Sequence, residues 1–187
     1  MADTSDIRKG MVVRYKDGLY KIEDFQHFKM ARGKAKVRTK LKNVRDGSVI
    51  QHTFRPNDDI DAVRLEAREM QYLYKDGEAY VFMDNRDYQQ VNIADEVCGE
   101  VTKFLKENDT VKVLFDGTTP VDIRLPVKVD LEVVDAPPGV VGDTAQGGEK
   151  KVTVETGYKV KVPLFIEEGD IIRIDTRSGE YKERVNN

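Results

Sequence analysis

Four Asp-Gly pairs, at 17–18, 46–47, 76–77 and 116–117, each stand between short strand-like runs. Asp-Gly is a strong local hairpin signal, because a tight turn between right-twisted strands needs residues that accept positive φ. Runs at 11–15 and 19–22 flank the first pair, and 49–54 follows the second. Runs at 68–74 and 79–83 flank the third, and 110–115 and 121–125 flank the fourth. Further runs follow at 127–134, 151–155, 158–162, 171–175 and 180–185, while 95–105 reads as a helical turn or two. Hairpins at this spacing predict an all-β chain of small barrels. A polar turn at Asn57-Asp58-Asp59 and a Pro/Gly-rich loop over 136–148 punctuate it. The expected domains are 1–64, 65–129 and 130–187. Blocks of about 60 residues are marginal alone and need packed interfaces or stiff connections.

The most distinctive stretch is 25–45. Between Gln26 and Arg45 there is no acidic residue and there are eight basic ones: Lys29, Arg32, Lys34, Lys36, Arg38, Lys40, Lys42 and Arg45. Lys34 to Lys42 occupy consecutive even positions, with Ala35, Val37, Thr39 and Leu41 between them. A period of two predicts a strand with one cationic and one apolar face. Residues 20–28 supply its hairpin partner, and the tip falls at Met30, Ala31, Arg32 and Gly33. A cationic row leading to an arginine suits an anionic partner, nucleic acid first. The bland alternative is a solvated hairpin whose lysines discourage edge pairing.

The whole-chain net charge of −3 hides this field. Residues 1–64 hold 15 Lys/Arg against 9 Asp/Glu, a net of +6, and residues 65–187 hold 16 against 25, a net of −9. Charges fade beyond a Debye length of about 8 Å, so the local excess matters more than the total. No apolar run approaches the roughly 20 residues of a membrane span, and no secretory leader is evident. Cys98 is the one cysteine, which fits a reducing cytoplasm and reads as a small buried hydrophobe.

No catalytic set is present, so the chain reads as a non-enzyme. His27 and His52 fall on neighbouring strands without the extra ligands a metal site needs, and no phosphate-binding GxxxxGK[ST] loop occurs. No cofactor or metal is expected. Tyr72, Tyr74, Tyr80 and Phe82 alternate as a strand face, with core packing the first reading and base stacking the second.

Ordered matches then accumulate along the chain. Phe25-Gln26-His27 precedes the basic tip, followed by Arg38-Thr39-Lys40-Leu41-Lys42-Asn43 and Thr53-Phe54-Arg55. Gln71-Tyr72-Leu73-Tyr74 precedes Tyr80-Val81-Phe82-Met83-Asp84, and Pro137-Pro138-Gly139 leads to Gly142-Asp143-Thr144. Val162-Pro163, Gly169-Asp170 and Ile174-Asp175-Thr176-Arg177-Ser178-Gly179-Glu180-Tyr181 complete the series. Over essentially its full length the chain resembles the bacterial elongation factor P family.

The resemblance implies three β-barrels in an L shape, an SH3-like (KOW-type) domain followed by two OB-folds. It implies a cytoplasmic, monomeric factor that binds the 70S ribosome between the P and E sites and relieves stalling at consecutive prolines. Arg32 at the tip would meet the CCA end of the peptidyl-tRNA. Met30, Ala31, Gly33 and Lys34 would complete the tip loop. Lys29, Lys36, Arg38, Lys40 and Lys42 would hold tRNA phosphates. Gly142, Asp143 and Thr144 would lie near the E-site mRNA codon, and Tyr181 and Arg184 match activity-linked positions toward the small subunit. Most familiar members carry a modified lysine within Pro-Gly-Lys-Gly, whereas this chain has Met30-Ala31-Arg32-Gly33. Some arginine-tipped members are rhamnosylated by a tip-modifying enzyme, within Ser-Gly-Arg-Asn flanks unlike these. The expectation is a bare Arg32, with rhamnosylation the alternative.

Three rival readings stand beside this one. A general single-stranded nucleic-acid binder built on OB-folds is disfavoured by net charges of −5 over 65–129 and −4 over 130–187. A two-domain hypusine-type factor lacks the third block. A tRNA-directed enzyme lacks its catalytic set.

Overall fold

The computed structural model describes residues 3–28, 36–56, 58–138 and 148–185. The alternating runs become strands, and nearly all regular structure is β. The first sheet uses β1 (Val12–Tyr15), β2 (Gly18–Phe28), β3 (Lys36–Asn43), β4 (Val49–Phe54) and β5 (Asp61–Ala62), in the order β4-β3-β2-β1-β5. The second uses β6 (Glu66–Asp76), β7 (Ala79–Asp84), β8 (Gln90–Ala94), β9 (Thr110–Asp116) and β10 (Thr119–Arg124), in the order β10-β9-β6-β7-β8. The third uses β11 (Lys128–Asp135), β12 (Glu149–Val154), β13 (Lys159–Pro163), β14 (Ile171–Asp175) and β15 (Glu180–Val185), in the order β13-β12-β11-β14-β15.

The second and third sheets thus share one strand order, a repeat invisible in their letters. In the third, β13 also lies against β15, which curls the sheet toward a barrel. Between β8 and β9 the chain makes one helical turn, α1 (Asp95–Cys98), continued as a 3-10 turn over Gly99–Lys103.

The hairpins form where the Asp-Gly pairs stand, but the strained residues differ. In the first, Tyr15 pairs with Gly18, so Lys16 and Asp17 are the two turn residues. Their φ values are 45° and 57°, the paired positive angles of a type I′ turn. Gly18 belongs to the strand instead. A Cβ there would come within 2.9 Å of the Tyr20 ring, so any side chain at 18 would force that ring to shift.

The core of the first sheet is Ile7, Val13, Ile22, Val37, Leu41, Phe54 and Ile60. That of the third is Leu131, Val133, Val152, Val154, Val160, Val162, Ile166, Ile172 and Ile174, joined by Phe104. By compactness the chain divides into two units. One comprises residues 1–68, 94–97 and 113–122, and the other 69–93, 98–112 and 123–187. Tyr72, Tyr80 and Phe82 are buried together in the second unit, with ring centroids 5.3–5.8 Å from Tyr72. Tyr74 departs from the expected face. A register shift between Tyr72 and Tyr74 against β7 turns it outward, where it is 47% exposed. No helix among the described residues is long and apolar enough to cross a membrane.

Candidate nucleic-acid interface

Strand β3 alternates as its sequence demands. Val37, Thr39 and Leu41 are buried, while Lys36, Arg38 and Lys40 are exposed. Thr39 is tolerated inside because its hydroxyl donates to the His52 carbonyl oxygen at 2.9 Å. The register builds rows across the outer face. Lys36 faces Phe28; Arg38 lies between Gln26 and Thr53; Lys40 lies between Asp24 and Gln51; Lys42 lies between Lys21 and Val49. Four of the cations predicted to meet phosphate are therefore brought onto one ladder.

The row is not uniform. A bulge inserts Glu23 between Ile22 and Asp24, and its carboxylate reaches within 3.5 Å of the Lys40 Nζ. Lys40 is thus flanked by two acids. Lys36, Arg38 and Lys42 have no ion pair among the described residues. Arg38 lies over the Phe28 ring, 5.0 Å from its centroid. Phe28 is 40% exposed, and the stack holds the guanidinium toward solvent. Asp24, Gln26, Arg38, Lys40 and Gln51 line a shallow depression beside it.

Sequence reasoning passed over Glu23, Asp24, Gln26, Gln51 and Phe28. Parity from Arg38 was a signal for Gln26 and Phe28. Nothing local signals the one-residue bulge that aims Glu23 at Lys40.

Lys29, Met30, Ala31, Arg32, Gly33 and Lys34, and likewise Gly142, Asp143 and Thr144, lie outside the described residues. The two histidines share the inner face but not a site. His27 pairs with Val37 and its ring meets Phe25, while His52 packs between Tyr15 and Phe54 at 4.5 Å each. Burial pushes the His52 imidazole below its ordinary pKa; the Asp58 carboxylate opposes this and the charge of Lys16 adds to it. No group of three or more metal-ligating side chains occurs among the described residues.

On the third sheet, Tyr181 is half-buried against the apolar core. Arg184 lies opposite Ile172, with Nη1 3.6 Å from Asp170 Oδ2 and its guanidinium 5.6 Å from the Phe165 ring. Phe165 is 59% exposed, so an arginine and an aromatic ring are displayed together. On the same pair of strands Arg173 grips Asp130 through Nε and Nη2 at 2.7 and 2.8 Å, and Glu183 through Nη1 at 2.8 Å. The bonds from Arg173 hold Asp130 below the usual carboxylate range.

Three family models match the chain in succession. They are the elongation factor P KOW-like domain over residues 3–60, the elongation factor P OB domain over 65–123, and the elongation factor P C-terminal domain over 129–184. Elongation factor P of Coprothermobacter proteolyticus is 50% identical over 185 residues, covering 99% of this chain and 100% of the relative. That of Salinibacter ruber is 49% identical over 187 residues, covering 99% and 97%. A solved structure, eukaryotic translation initiation factor 5A from Methanococcus jannaschii, matches at 17% identity and a TM-score of 0.48, covering 66% of this chain and 89% of that one. The matched models span nearly the whole chain in order, and the chain belongs to the elongation factor P family of translation elongation factors.

Proposed function

We propose that this protein binds the ribosome between the P and E sites and speeds peptide-bond formation where consecutive prolines stall it. The observation that carries the reading is the cationic ladder of β3 in a family member whose remaining sequence is acidic. Lys36, Arg38 and Lys42 suit the phosphates of an RNA backbone, which position a partner without reading its sequence. That fits a factor serving many tRNAs. Lys29, Lys34 and Arg32 continue the same run of cations in sequence.

The ribosome supplies the reaction centre. Proline's ring restricts both the nascent chain and the attacking amine, so reactive geometry is rare. Holding the CCA end of the peptidyl-tRNA removes orientational freedom in advance, a contribution that reaches several kcal/mol. Arg32, unmodified at the tip, offers a planar donor fork for phosphate or a base. Gly142, Asp143 and Thr144 face the E-site codon in this reading, and Tyr181 and Arg184 meet the small subunit.

The test is a translation reporter carrying three consecutive prolines. Arg32→Ala is expected to abolish relief of stalling while thermal unfolding stays unchanged. Full relief by that variant refutes the tip assignment. A hexose-like mass increment on the Arg32 peptide of natively purified protein refutes the bare arginine.

A further inference from the structure

The first sheet is buried on both sides at one end. Its inward residues Val13 and Ile22 build the core, while Val12 and Arg14 of β1 face outward beside Lys21 and Leu19 of β2. That outer face is covered within the same compact unit by residues 113–122, which carry the end of β9, the turn at Gly117 and the start of β10. Val12, Val44 and Val121 are buried together, with Leu19, Val63, Leu65 and Val97 packed around them.

Two ion pairs accompany the apolar contact. Lys21 Nζ lies 2.6 Å from Asp122 Oδ1, and the two side chains are 34% and 14% exposed. Arg14 Nη2 lies 3.1 Å from Asp116 Oδ2, and its Nε lies 3.7 Å from Asp61. A valine patch is non-directional and tolerates sliding. Charge-assisted hydrogen bonds at fixed points are directional and set a register.

The mount has leverage, because Lys21 lies on the strand that runs on to Phe28 beside Lys36. Seven residues of strand span about 23 Å. An error of about 10° at Lys21 therefore moves the far end by about 4 Å, and a misplacement of about 1 Å can cost a hundredfold in rate.

We propose that Lys21–Asp122 and Arg14–Asp116 are positioning pairs that fix the direction of the β2–β3 ladder, and so govern the rate of proline incorporation rather than affinity for the ribosome. This rests on the function proposed above. Loss of the pairs leaves the cationic face intact, so binding is kept while productive placement becomes rare.

The experiment compares the wild type, the Asp116→Asn/Asp122→Asn double variant, and the exchanged pair Lys21→Asp/Asp122→Lys. Nitroxide labels at Thr53→Cys on β4 and Thr118→Cys in the β9–β10 turn report the direction of the first sheet. In the double variant the label distance distribution is expected to broaden. Ribosome affinity does not fall, since unpairing Lys21 and Arg14 from the two acids only adds cationic charge beside Lys42, and the maximal rate on a Pro-Pro template at saturating factor falls about tenfold. The exchanged pair narrows the distribution and recovers most of the rate. A distribution unchanged in the double variant overturns the proposal, as does a broadened one with full rate or a loss confined to affinity. If the double variant unfolds, Arg14→Gln is carried through the same measurements, where the same results support or overturn the proposal. A wild type that gives no acceleration on the Pro-Pro template refutes the functional reading, while the label distances still decide whether the pairs hold the ladder.

Discussion

The Arg38 guanidinium carbon lies 5.0 Å from the centroid of the Phe28 ring, diagonally across the β2–β3 ladder. The ring face limits the rotamers of a long cation that would otherwise sweep freely through solvent. An exposed cation–π contact contributes about 0.5–1 kcal/mol. Phe28→Leu is therefore expected to weaken ribosome binding about two- to fivefold while lowering the melting temperature by no more than about 4 °C, since the ring is 40% exposed. Unaltered affinity in a titration against ribosomes would show that the stack does not organise the contact.

Arg38 and Lys40 are adjacent outward residues of one strand, yet they should behave differently. Lys40 is within 3.5 Å of Glu23 and opposite Asp24, so two acids of the protein compete with RNA for its charge. Removing a cation that displaces counterions from RNA lowers the slope of log affinity against log salt by about 0.7–0.9. Arg38→Ala is expected to show that full change and Lys40→Ala much less. Glu23→Gln is expected to steepen the slope by freeing Lys40. Equal slopes for the two alanine variants would refute the inequality.

How much of this was readable beforehand depends on the range of the interaction. The outward cations of β3 and the buried Val37, Thr39 and Leu41 followed from a period of two, because each residue's side is fixed by its own position. The helical turn at Asp95–Cys98 was also local in origin. By contrast β8, Gln90–Ala94, has one fully buried residue, Ile93, in polar surroundings, and no run announced it. The two-residue β5 is too short to leave a pattern. The bulge that frees Glu23, and the shift that turns Tyr74 outward, are properties of two strands together. Lys21 and Asp122 stand 101 positions apart, and nothing in either neighbourhood points to the other.

Asp175 gives a pH signature. Its buried carboxylate accepts from the Arg177 side chain at 2.9 and 3.2 Å and from the Arg177 backbone N–H at 3.0 Å. These bonds hold it well below its ordinary value of 3.8. A carboxylate depressed in the folded state stabilises the fold above its unfolded pKa, and that stability is lost as pH falls through the folded pKa. Below about pH 4 the unfolded chain takes up a proton that the folded one resists. Asp175→Asn should therefore melt lower at pH 7 and lose less than the wild type on going to pH 3. Parallel losses in two thermal scans would contradict the assignment.

Tyr88 holds stored backbone strain. Its backbone has φ 60° in the turn that joins β7 to β8, and its side chain is 71% exposed. The conformation is imposed by the turn. The Tyr88 N–H donates to Asp84 O at 2.9 Å, and the Asp84 N–H donates to Gln89 O at 2.9 Å. The Asp84 and Asp87 side chains accept from the Arg86 and Gln89 N–H groups at 2.9 and 3.0 Å. A left-handed backbone costs an ordinary L-residue about 1–2 kcal/mol, and asparagine less. So exposed a ring returns little by burial. Tyr88→Asn is therefore expected to raise the melting temperature by about 2–4 °C for each kcal/mol relieved. Tyr88→Ala keeps the strained backbone without asparagine's local hydrogen bonding, and is expected to gain nothing. A gain of equal size in both variants would mean that the ring, rather than the backbone, was the source of strain.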